Sequence, residues 1–518
     1  MRSERGKVTE ERKEKLPLVK GVTALDDVKA VMRQYALPDH FPKDAIREAK
    51  RIGEIGAVSF DKRLDLRKKF IFTCDPDTAK DFDDALSLET DRKGNRVLGV
   101  HIADVSHYVR PGTALDRVVP MLPEELSNGV CSLVPGEDRL TFSAFLTFDR
   151  DGRCVGRRFA KSIIRSKARF TYGQVMGILM GRGRGASQDM KTVREIGALA
   201  QQLRRRRFAE GALDLEVPET EILLDDDGFM TGLAERPYDE SHQMVEECMV
   251  AANEAVAKEL WSRGIKILAR LHDRPDPERL EQLRADLASI GVKCGDLSHG
   301  RNVADFLRRI KKEPLYKTIS MMVLRSLKRA CYDARNIGHF GLAKDFYAHF
   351  TSPIRRYPDL VLHRQLADFL ATGNGRLPQA TLDRAAKHCS EMEERADEAE
   401  RSLNEVKKFR FIEENGGVFD ATVSKVTKFG LFVDVPALAT GGLVHVSTLS
   451  GRFVRFDEKR MQLEDGNRTW RIGDTLRLRA LKVDWDNHWI DFAPAEGFRE
   501  NVRGRQGGGA RVRGRRRH

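Results

Sequence analysis

The sequence predicts an α+β protein in which a large mixed core of strands and helices precedes a small all-β barrel. A chain of 518 residues is too long for one ordinary domain, and a hydrophobic content of 41% is sufficient for a large core. Strand-like and then helical patterns fill residues 58–412, whereas residues 417–494 show short alternating strands separated by glycines. We therefore expect two globular parts.

The first segment, residues 1–57, is predicted to be a charged lead-in with linker helices. Its "LPDHFPKDAIREA" offers a proline-rich turn followed by a helix start. The opening "MRSERGKVTEERKEK" lacks the apolar core of a signal peptide. Because no apolar run in the chain approaches the roughly 20 residues that span a bilayer, we expect a cytoplasmic protein without membrane contact.

The core begins with strand signals, from residue 58 to about 110, in "KFIFTC", "DALSLE" and "RVLGVHIADVSHYV". Helical spacing follows in "YGQVMGILM", "TVREIGALAQQLRRRRFAE", "SHQMVEECMVAANEAVAKELW" and "TISMMVLRSLKRACY". A long helix is predicted at 379–412, where apolar residues recur every three or four positions, and it should end near "ENGG".

The last part contains a barrel and a basic tail. Five strand-like segments, "VFDATVSKV", "GLFVDV", "GGLVHVS", "TLRLRALKVD" and "HWIDFA", suit a small closed barrel. The predicted tail, 495–518, carries eight arginines and one glutamate from Arg499 onward, a net charge of +7. Its composition predicts disorder and sequence-independent binding to nucleic-acid phosphates, with a merely solubilising tail as the alternative.

Charge and cysteine content narrow the function classes. The net charge of +13 favours a polyanionic partner, and nucleic acid is the first candidate. The seven cysteines are scattered without paired spacing, so neither a disulfide framework nor a zinc site is predicted. We expect reduced, packed thiols.

An acidic segment stands out against this basic background. "FTCDPDTAKDFDDALSLE" places five aspartates within ten residues, on a predicted loop between two buried strands. Such close carboxylates repel one another unless cations or solvent compensate them. An all-oxygen set favours Mg²⁺ or Mn²⁺, and no calcium EF-hand spacing is present. A metal-dependent nuclease is the leading hypothesis, and a solvated acidic turn is the alternative.

A candidate phosphate-binding segment lies far along the chain, in "AHFTSPIRRYPDLVLHR". Arg355 and Arg356 follow a Ser-Pro turn and precede an apolar helix start. A guanidinium can bind a phosphate through two hydrogen bonds, so both arginines are candidate RNA contacts. The alternative is a solvated surface pair.

Several separated motifs together resemble the RNB exoribonucleases over about 58–412. They are "CDPDTAKDFDDALS", "HIADVSHYV", "PMLPEELSNGVCSL", "MVEECMVAANEAVA", "GHFGLA", "HFTSPIRRYPDLVLHR" and "ADEAER". The barrel that follows resembles an OB fold of the ribosomal S1 type. The resemblance implies an RNB catalytic core and Mg²⁺-dependent, processive 3′-to-5′ hydrolysis of single-stranded RNA to 5′ nucleotides. RNA-decay factors are candidate partners, and we expect a monomer.

The resemblance also implies roles for individual residues. The four site aspartates of the family fall on Asp75, Asp81, Asp83 and Asp84, which leaves Asp77 as an extra carboxylate. The phosphate-contacting arginine falls on Arg355, the tyrosine near the terminal nucleotide on Tyr172, and two further active-site glutamates on Glu246 and Glu400. Phe429, Phe432 and His445 fall at RNA-facing positions of the S1-type barrel. Tyr172 as a core ring, and Glu246 and Glu400 as helix-surface charges, are the alternatives.

The chain departs from the family pattern in three places. Two cold-shock-type barrels that normally precede the core are missing. About a dozen residues are missing between Asp116 and Arg117, with an aromatic residue that stacks on a base. Leu215 stands where a second aromatic is usual. Because stacking contributes roughly 1–3 kcal/mol per base, we expect weaker grip and distributive degradation.

Two other function classes remain for comparison. One is an RNB-like RNA-binding protein that cleaves poorly, which the presence of all four matched aspartates and Arg355 disfavours. The other is a DNA-directed nuclease, which is disfavoured because the motifs resemble an RNA-degrading family.

Overall fold

The structure is a computed structural model that describes residues 16–56, 62–117, 122–182, 188–215, 219–458 and 460–495. The chain divides into two compact units. The larger unit comprises 19–222 and 234–404, and the smaller comprises 1–18, 223–233 and 405–518. Residues 496–518 of the predicted tail, and residues 1–15 and 57 of the charged lead-in, lie outside the described residues.

The larger unit is built on a seven-stranded mixed sheet with the strand order β1-β6-β5-β4-β3-β2-β7. Only the pairs β1–β6 and β2–β7 are parallel among these neighbours. Apolar clusters cover both faces of the sheet, which explains why its strands read as nearly continuous apolar runs. The strands are β1 Leu64–Asp65, β2 Phe72–Asp75, β3 Asp84–Thr90, β4 Arg96–Ala103, β5 Asp138–Phe148, β6 Cys154–Arg165 and β7 Ala168–Thr171.

Helices pack on both faces of this sheet. One face is covered by α4, α5 and α6, and the other by α2 and α3, while α10 contributes to both clusters. The lead-in was expected to contain one or two helices and contains two, the first of which starts with a capping box at Thr23. The helices of the larger unit are α1 Ala24–Gln34, α2 Lys43–Ile55, α3 Val105–Tyr108, α4 Tyr172–Leu179, α5 Gln188–Glu210, α6 Glu240–Ser262, α7 Pro277–Ser289, α8 Gly300–Ile310, α9 Tyr316–Ser326 and α10 Tyr357–Thr372, and α11 Gln379–Asn415 runs into the smaller unit.

Most helix predictions are confirmed, and one is partly wrong. The segment 318–332 was expected to be helical throughout, but α9 ends at Ser326. Residues Cys331–Asp333 form β11 instead, which pairs in antiparallel fashion with β10, Ala269–Leu271. Pairing with a strand distant in sequence overrides the local helical pattern. The long helix begins at 379 as predicted and ends at Asn415, next to the expected glycines.

The smaller unit contains the predicted five-stranded closed barrel, in the order β12-β13-β14-β19-β18. A short helix and a three-stranded sheet, which the sequence did not predict, lie between its third and fourth strands. The elements are β12 Val418–Thr427, β13 Gly430–Val435, β14 Thr440–His445, α12 Val446–Leu449, β15 Arg455–Asp457, β16 Gln462–Glu464, β17 Thr469–Trp470, β18 Thr475–Asp484 and β19 Trp489–Pro494.

A hairpin of β8, Thr220–Leu224, and β9, Met230–Glu235, was also not predicted. Its tip, residues 223–233, belongs to the smaller unit. There Lys407 donates a hydrogen bond to the Gly228 carbonyl at 3.0 Å, and the Arg410 guanidinium lies 5.5 Å from the Phe229 ring centroid. The smaller unit is therefore assembled from separate stretches of sequence.

The cysteine and membrane expectations are tested only where the chain is described. All seven cysteines are free, as predicted. The expectation that they are packed is wrong for Cys154 and Cys331, which are exposed because they lie at the ends of strands β6 and β11. Among the described residues, no helix is long and apolar enough to cross a membrane.

Candidate active site

The acidic loop connects the adjacent antiparallel strands β2 and β3, as predicted. Asp75 ends β2, Asp84 begins β3, and the pairing of Phe72 with Leu86 brings these two strand ends together. Asp75 and Asp83 are buried, with 9% and 6% of their surfaces exposed. Asp81 and Asp84 are half-buried.

Burial and mutual repulsion make these carboxylates hard to ionise. Burial, and then the charge of Asp75, raise the pKa of Asp84 to about 8, against the attraction of two arginines described below. Burial is also the main reason why the pKa of Asp75 is raised to about 6. Burial raises the pKa of Asp83 well above its ordinary value. A cation at this place would relieve both desolvation and repulsion.

The second motif, 351–359, lies directly on the acidic loop. The main-chain N–H of Ile354 donates a hydrogen bond of 3.1 Å to Oδ1 of Asp83. The fully buried Asp359 shapes this turn by accepting a hydrogen bond of 2.8 Å from the Ser352 N–H. Segments separated by some 270 residues in sequence thus form one site.

The two adjacent arginines of this turn have different environments. Arg355 is exposed, donates a 3.3 Å hydrogen bond to Ser352 Oγ, and lowers the pKa values of Asp83 and Asp84 by its charge. Arg356 instead donates two hydrogen bonds of 2.8 Å to the Asp359 carboxylate. Arg355 is therefore free to face a phosphate, whereas the guanidinium of Arg356 is largely engaged in holding the turn.

The acidic loop suits a hard metal ion in donor chemistry. Oδ2 of Asp75 is buried and has no hydrogen-bond partner among the described residues. An unpartnered buried carboxylate oxygen is the kind of ligand that Mg²⁺ or Mn²⁺ prefers. Within the described ranges, however, no three His, Cys, Asp or Glu side chains are already arranged around a common metal position. The donors fit, but their side chains would have to converge when an ion binds.

Tyr172 borders the acidic loop. It begins α4 directly after β7, whose Thr171 pairs with Asp75 on β2. The ring is half-buried and stacks on His242, with centroids 3.9 Å apart and an interplanar angle of 17°. Burial and the nearby charges, including those of Asp84 and Asp75, raise the pKa of Tyr172 above its ordinary value.

The two candidate glutamates have different surroundings. Glu246 lies on α6, where Arg207 donates a 3.0 Å hydrogen bond to it and the Tyr238 hydroxyl donates another. Arg207 also pairs with the buried Glu247. Glu400 is exposed on α11, one residue after the buried Ala399. Both side chains stay candidates rather than confirmed members of the site.

The barrel residues share one outer surface. The ring centroids of Phe429 and Phe432 are 5.8 Å apart and nearly perpendicular. His445 is exposed and pairs with Gly430 on the neighbouring strand. A side chain at Gly430 would place its Cβ 2.3 Å from the Val444 carbonyl oxygen, so this close approach of strands requires glycine.

Two positioning residues were missed by sequence reasoning. Arg169 on β7 donates hydrogen bonds of 2.8 and 3.0 Å to the carbonyls of Pro76 and Asp77, and its charge lowers the pKa of Asp75. It thereby holds the acidic loop. Asp359 was missed in the same way. The sequence holds no spacing signal for either, because their partners are defined by strand pairing and by a turn.

The departures from the family pattern are partly visible. Asp116 forms an ion pair with Arg364, with a distance of 2.8 Å, whereas residues 118–121 lie outside the described residues. Leu215 is half-buried in an apolar cluster with residues of α7, α8 and α9. It is therefore a packing residue, and residues 216–218 after it are not described.

Comparison with known families and proteins supports the RNB resemblance. Residues 63–372 match the RNB domain, and residues 413–493 match the S1 RNA binding domain. Ribonuclease R of Thermotoga maritima is 40% identical over 509 residues, which cover 91% of this chain and 70% of that protein. Ribonuclease R of Escherichia coli is 36% identical, with 90% of this chain and 62% of that protein covered. Ribonuclease R 1 of Lactococcus lactis is 34% identical, and the chain spans 60% of its length.

Solved structures of similar proteins have the same fold. Mycoplasma genitalium RNase R in complex with ribose methylated single-stranded RNA has a TM-score of 0.83 and 27% identity, covering 92% of this chain and 79% of that one. The same protein in complex with double-stranded RNA has a TM-score of 0.78 and 26% identity, covering 92% and 84%.

Proposed function

This chain belongs to the RNB family of exoribonucleases and carries an S1 RNA-binding domain after its catalytic core, and we propose that it hydrolyses single-stranded RNA from the 3′ end to 5′ nucleoside monophosphates. The observation that carries the proposal is the hydrogen bond from the Ile354 N–H to Asp83. It joins the acidic loop to the turn that bears Arg355, which supports a site in which the carboxylates and the exposed Arg355 guanidinium act together.

The proposal assigns the acidic loop to Mg²⁺, with Mn²⁺ as the alternative ion. RNB exoribonucleases are metal-dependent in general. We assign Asp75, Asp81, Asp83 and Asp84 as the residues that would hold the ion, because these buried or half-buried carboxylates lie on one loop, where burial and neighbouring carboxylates raise the pKa values of Asp75, Asp83 and Asp84. A bound ion of this type lowers the pKa of a water molecule and stabilises charge on the departing oxygen.

The other side chains act on the RNA. Arg355 would neutralise the scissile phosphate, because its guanidinium is exposed beside the aspartates. Tyr172 would contact the terminal nucleotide. Glu246 and Glu400 would orient the reacting groups, which the surroundings of Glu246 support better. Arg356 would act mainly through Asp359.

The smaller unit would add a second surface that binds RNA. Phe429, Phe432 and His445 offer rings on one surface of the barrel, and rings accept bases of any sequence. The domain division at 58–412 and 417–494, a cytoplasmic monomer and RNA-decay factors as partners belong to the same proposal.

An RNA oligonucleotide labelled at either end tests this function with and without Mg²⁺. We expect the 3′-labelled RNA to release labelled mononucleotide at once and the 5′-labelled RNA to shorten stepwise, both only with the metal. Release of a 5′-labelled mononucleotide as the first product would reverse the assigned polarity. Tight binding without cleavage would favour the alternative of an RNA-binding protein.

A further inference from the structure

Planar side chains form a continuous row beside the acidic loop. The row begins with the Tyr172–His242 stack described above. His242 lies next to Tyr238, with ring centroids 6.3 Å apart and an angle of 39°. The Arg204 guanidinium lies 5.8 Å from the Tyr238 centroid and 4.6 Å from that of Phe208. The row therefore runs outward from the ring nearest to the aspartates.

Tyr238 differs from the other members of this row because it is both anchored and open. Its hydroxyl donates a hydrogen bond to Glu246 and accepts one of 3.2 Å from Arg204. Arg204 is itself only 16% exposed. Nevertheless, 56% of Tyr238 is exposed. A large ring held in place at the surface loses little further conformational entropy when it binds a planar partner.

Contacts of its neighbour Asp239 connect Tyr238 to the ring that borders the acidic loop. Asp239, the N-cap of α6, follows Tyr238, and its Oδ1 lies 2.9 Å from Nδ1 of His242, the ring that stacks on Tyr172. Arg236 is exposed, and its charge acts on Tyr172. The Tyr238 segment is thus connected through His242 to the ring beside the acidic loop, and Arg236, which pairs with Glu219 at 3.3 Å, adds an exposed cation to this surface.

The alternative for Tyr238 is a solvated tyrosine at the start of a helix, which would not need side-chain contacts that hold its ring and hydroxyl in place. Exposed rings normally lack a second layer of ring, guanidinium and carboxylate contacts that fixes their orientation. Here Glu246 and Arg204 fix the hydroxyl, while His242 and Arg204 flank the ring. This arrangement supports a surface that binds a planar ligand, and a nucleobase is the planar group that the proposed substrate supplies.

We propose that Tyr238 is a base-stacking residue, which binds a nucleobase a few positions upstream of the 3′ terminal nucleotide. The inference rests on the proposed function, since it takes RNA as the ligand. Leu215 is packed in an apolar cluster and cannot offer a ring, so Tyr238 supplies a stacking surface from a different element. Stacking on a π face implies no preference for a particular base.

Binding of RNA to the full-length chain tests this role. In an Asp83→Asn background, which prevents degradation, Tyr238→Leu removes the ring and Tyr238→Phe keeps it. We expect Leu to weaken binding of single-stranded RNA by about 5- to 150-fold and Phe by only a few-fold, because the stacking energy resides in the ring. Equal affinities of the Leu and Phe variants would overturn the proposal.

Abasic RNA separates stacking from a structural effect. A single abasic nucleotide is placed in turn at each of the last few 3′ positions. At one of these positions, the abasic nucleotide should weaken RNA binding by the protein that keeps Tyr238. At that position it should not change the affinity of the Tyr238→Leu variant, which has no ring to lose contact with. If the abasic nucleotide weakens binding equally for the Tyr238→Leu variant and for the protein that keeps Tyr238, at every position, the ring contacts no base.

The two proposals fail in different ways. If the chain with Asp83 intact does not degrade RNA with Mg²⁺ present, the proposed function fails whatever the binding data show. If it degrades RNA but Tyr238→Leu binds normal and abasic RNA as the parent does, only the base-stacking role is lost.

Discussion

At the scale of single residues, residues of the same type can have different roles because their burial and hydrogen bonds differ. Arg355 and Arg356 are adjacent and chemically identical, yet one is exposed beside the aspartates and the other is paired with the buried Asp359. The aspartates differ in the same way, because Asp77 is exposed and Asp83 is buried under the Ile354 N–H. Burial and hydrogen bonding therefore decide which charge can serve catalysis.

Asp83→Asn tests this distinction directly. We expect turnover to fall by about a hundredfold or more, because a proposed metal ligand is lost, while RNA affinity is unchanged or higher, because a negative charge is removed. Asp77→Asn, in the exposed part of the same loop, is the matched control and should keep near-normal turnover. Single-turnover cleavage and filter binding measure both properties, and near-normal cleavage by Asp83→Asn would contradict the metal assignment.

At the scale of elements, the sequence was sufficient where the pattern is local and insufficient where distant strands meet. The acidic loop, the long helix and the five barrel strands were predicted because apolar periodicity and glycine punctuation are local signals. The strand at Cys331–Asp333 and the contacts of Arg169 depend on partners far away in sequence. The two ends of the site could be predicted from motifs, but the hydrogen bond that joins them could not.

The turn at 351–359 offers an element-scale prediction. Asp359→Asn removes the charge that holds Arg356, and breaking a buried pair typically costs about 3–5 kcal/mol. Because Arg356 is partly exposed, we expect a loss of unfolding free energy near the lower end, together with lower kcat as Arg355 loses its fixed turn. Asp368→Asn, an exposed position on the same helix, is the control. Denaturant melts and steady-state kinetics measure the two effects, and a normal kcat in a destabilised Asp359→Asn protein would argue against the positioning role.

The centre of the sheet gives a pH prediction. His101 is fully buried between Ser87 and Ser143, and burial lowers its pKa from 6.5 to about 3. The unfolded chain therefore binds a proton that the folded chain rejects, so this contribution to stability is present above about pH 6.5 and is lost as the pH falls toward 3. His101→Asn should flatten the dependence of unfolding free energy on pH in this window, by at most about 1.4 kcal/mol per pH unit. Urea melts of both proteins between pH 4 and 7 measure it, and parallel curves would contradict the burial of a neutral imidazole.

At the scale of the whole molecule, the chain order and the compact units do not coincide. The hairpin tip at 223–233 belongs to the same unit as residues from 405 onward, although nothing in the sequence indicates it. Deletion of 417–518 would therefore cut through one compact unit and would confound RNA grip with stability. Shorter truncations are better tests of RNA binding.

Truncation after Ala495 removes the predicted basic tail and leaves the barrel strands intact. If the tail contacts RNA phosphates, the truncated protein should show a higher KM, an unchanged kcat at saturating RNA, and a flatter dependence of log affinity on log salt. Single-stranded RNA gives a slope of about −0.7 per neutralised phosphate, so the change in slope counts the lost contacts. An unchanged slope would leave the tail as a solubilising segment.

Processivity depends on how many bases remain held after each cleavage. The resemblance leads us to expect that one aromatic is missing after Asp116, and Leu215 is packed in an apolar cluster, so Tyr238 would supply part of the stacking expected from two rings. With roughly 1–3 kcal/mol lost per missing ring, dissociation should compete with translocation at each step. We therefore expect a distributive enzyme that leaves a ladder of intermediates when excess unlabelled RNA is added after binding, and still shorter runs for Tyr238→Leu. Complete conversion of the bound RNA to one short product, by both the parent protein and Tyr238→Leu, would contradict this expectation. Neither the missing rings nor Tyr238 would then limit how long the RNA stays bound, and other residues would have to hold it.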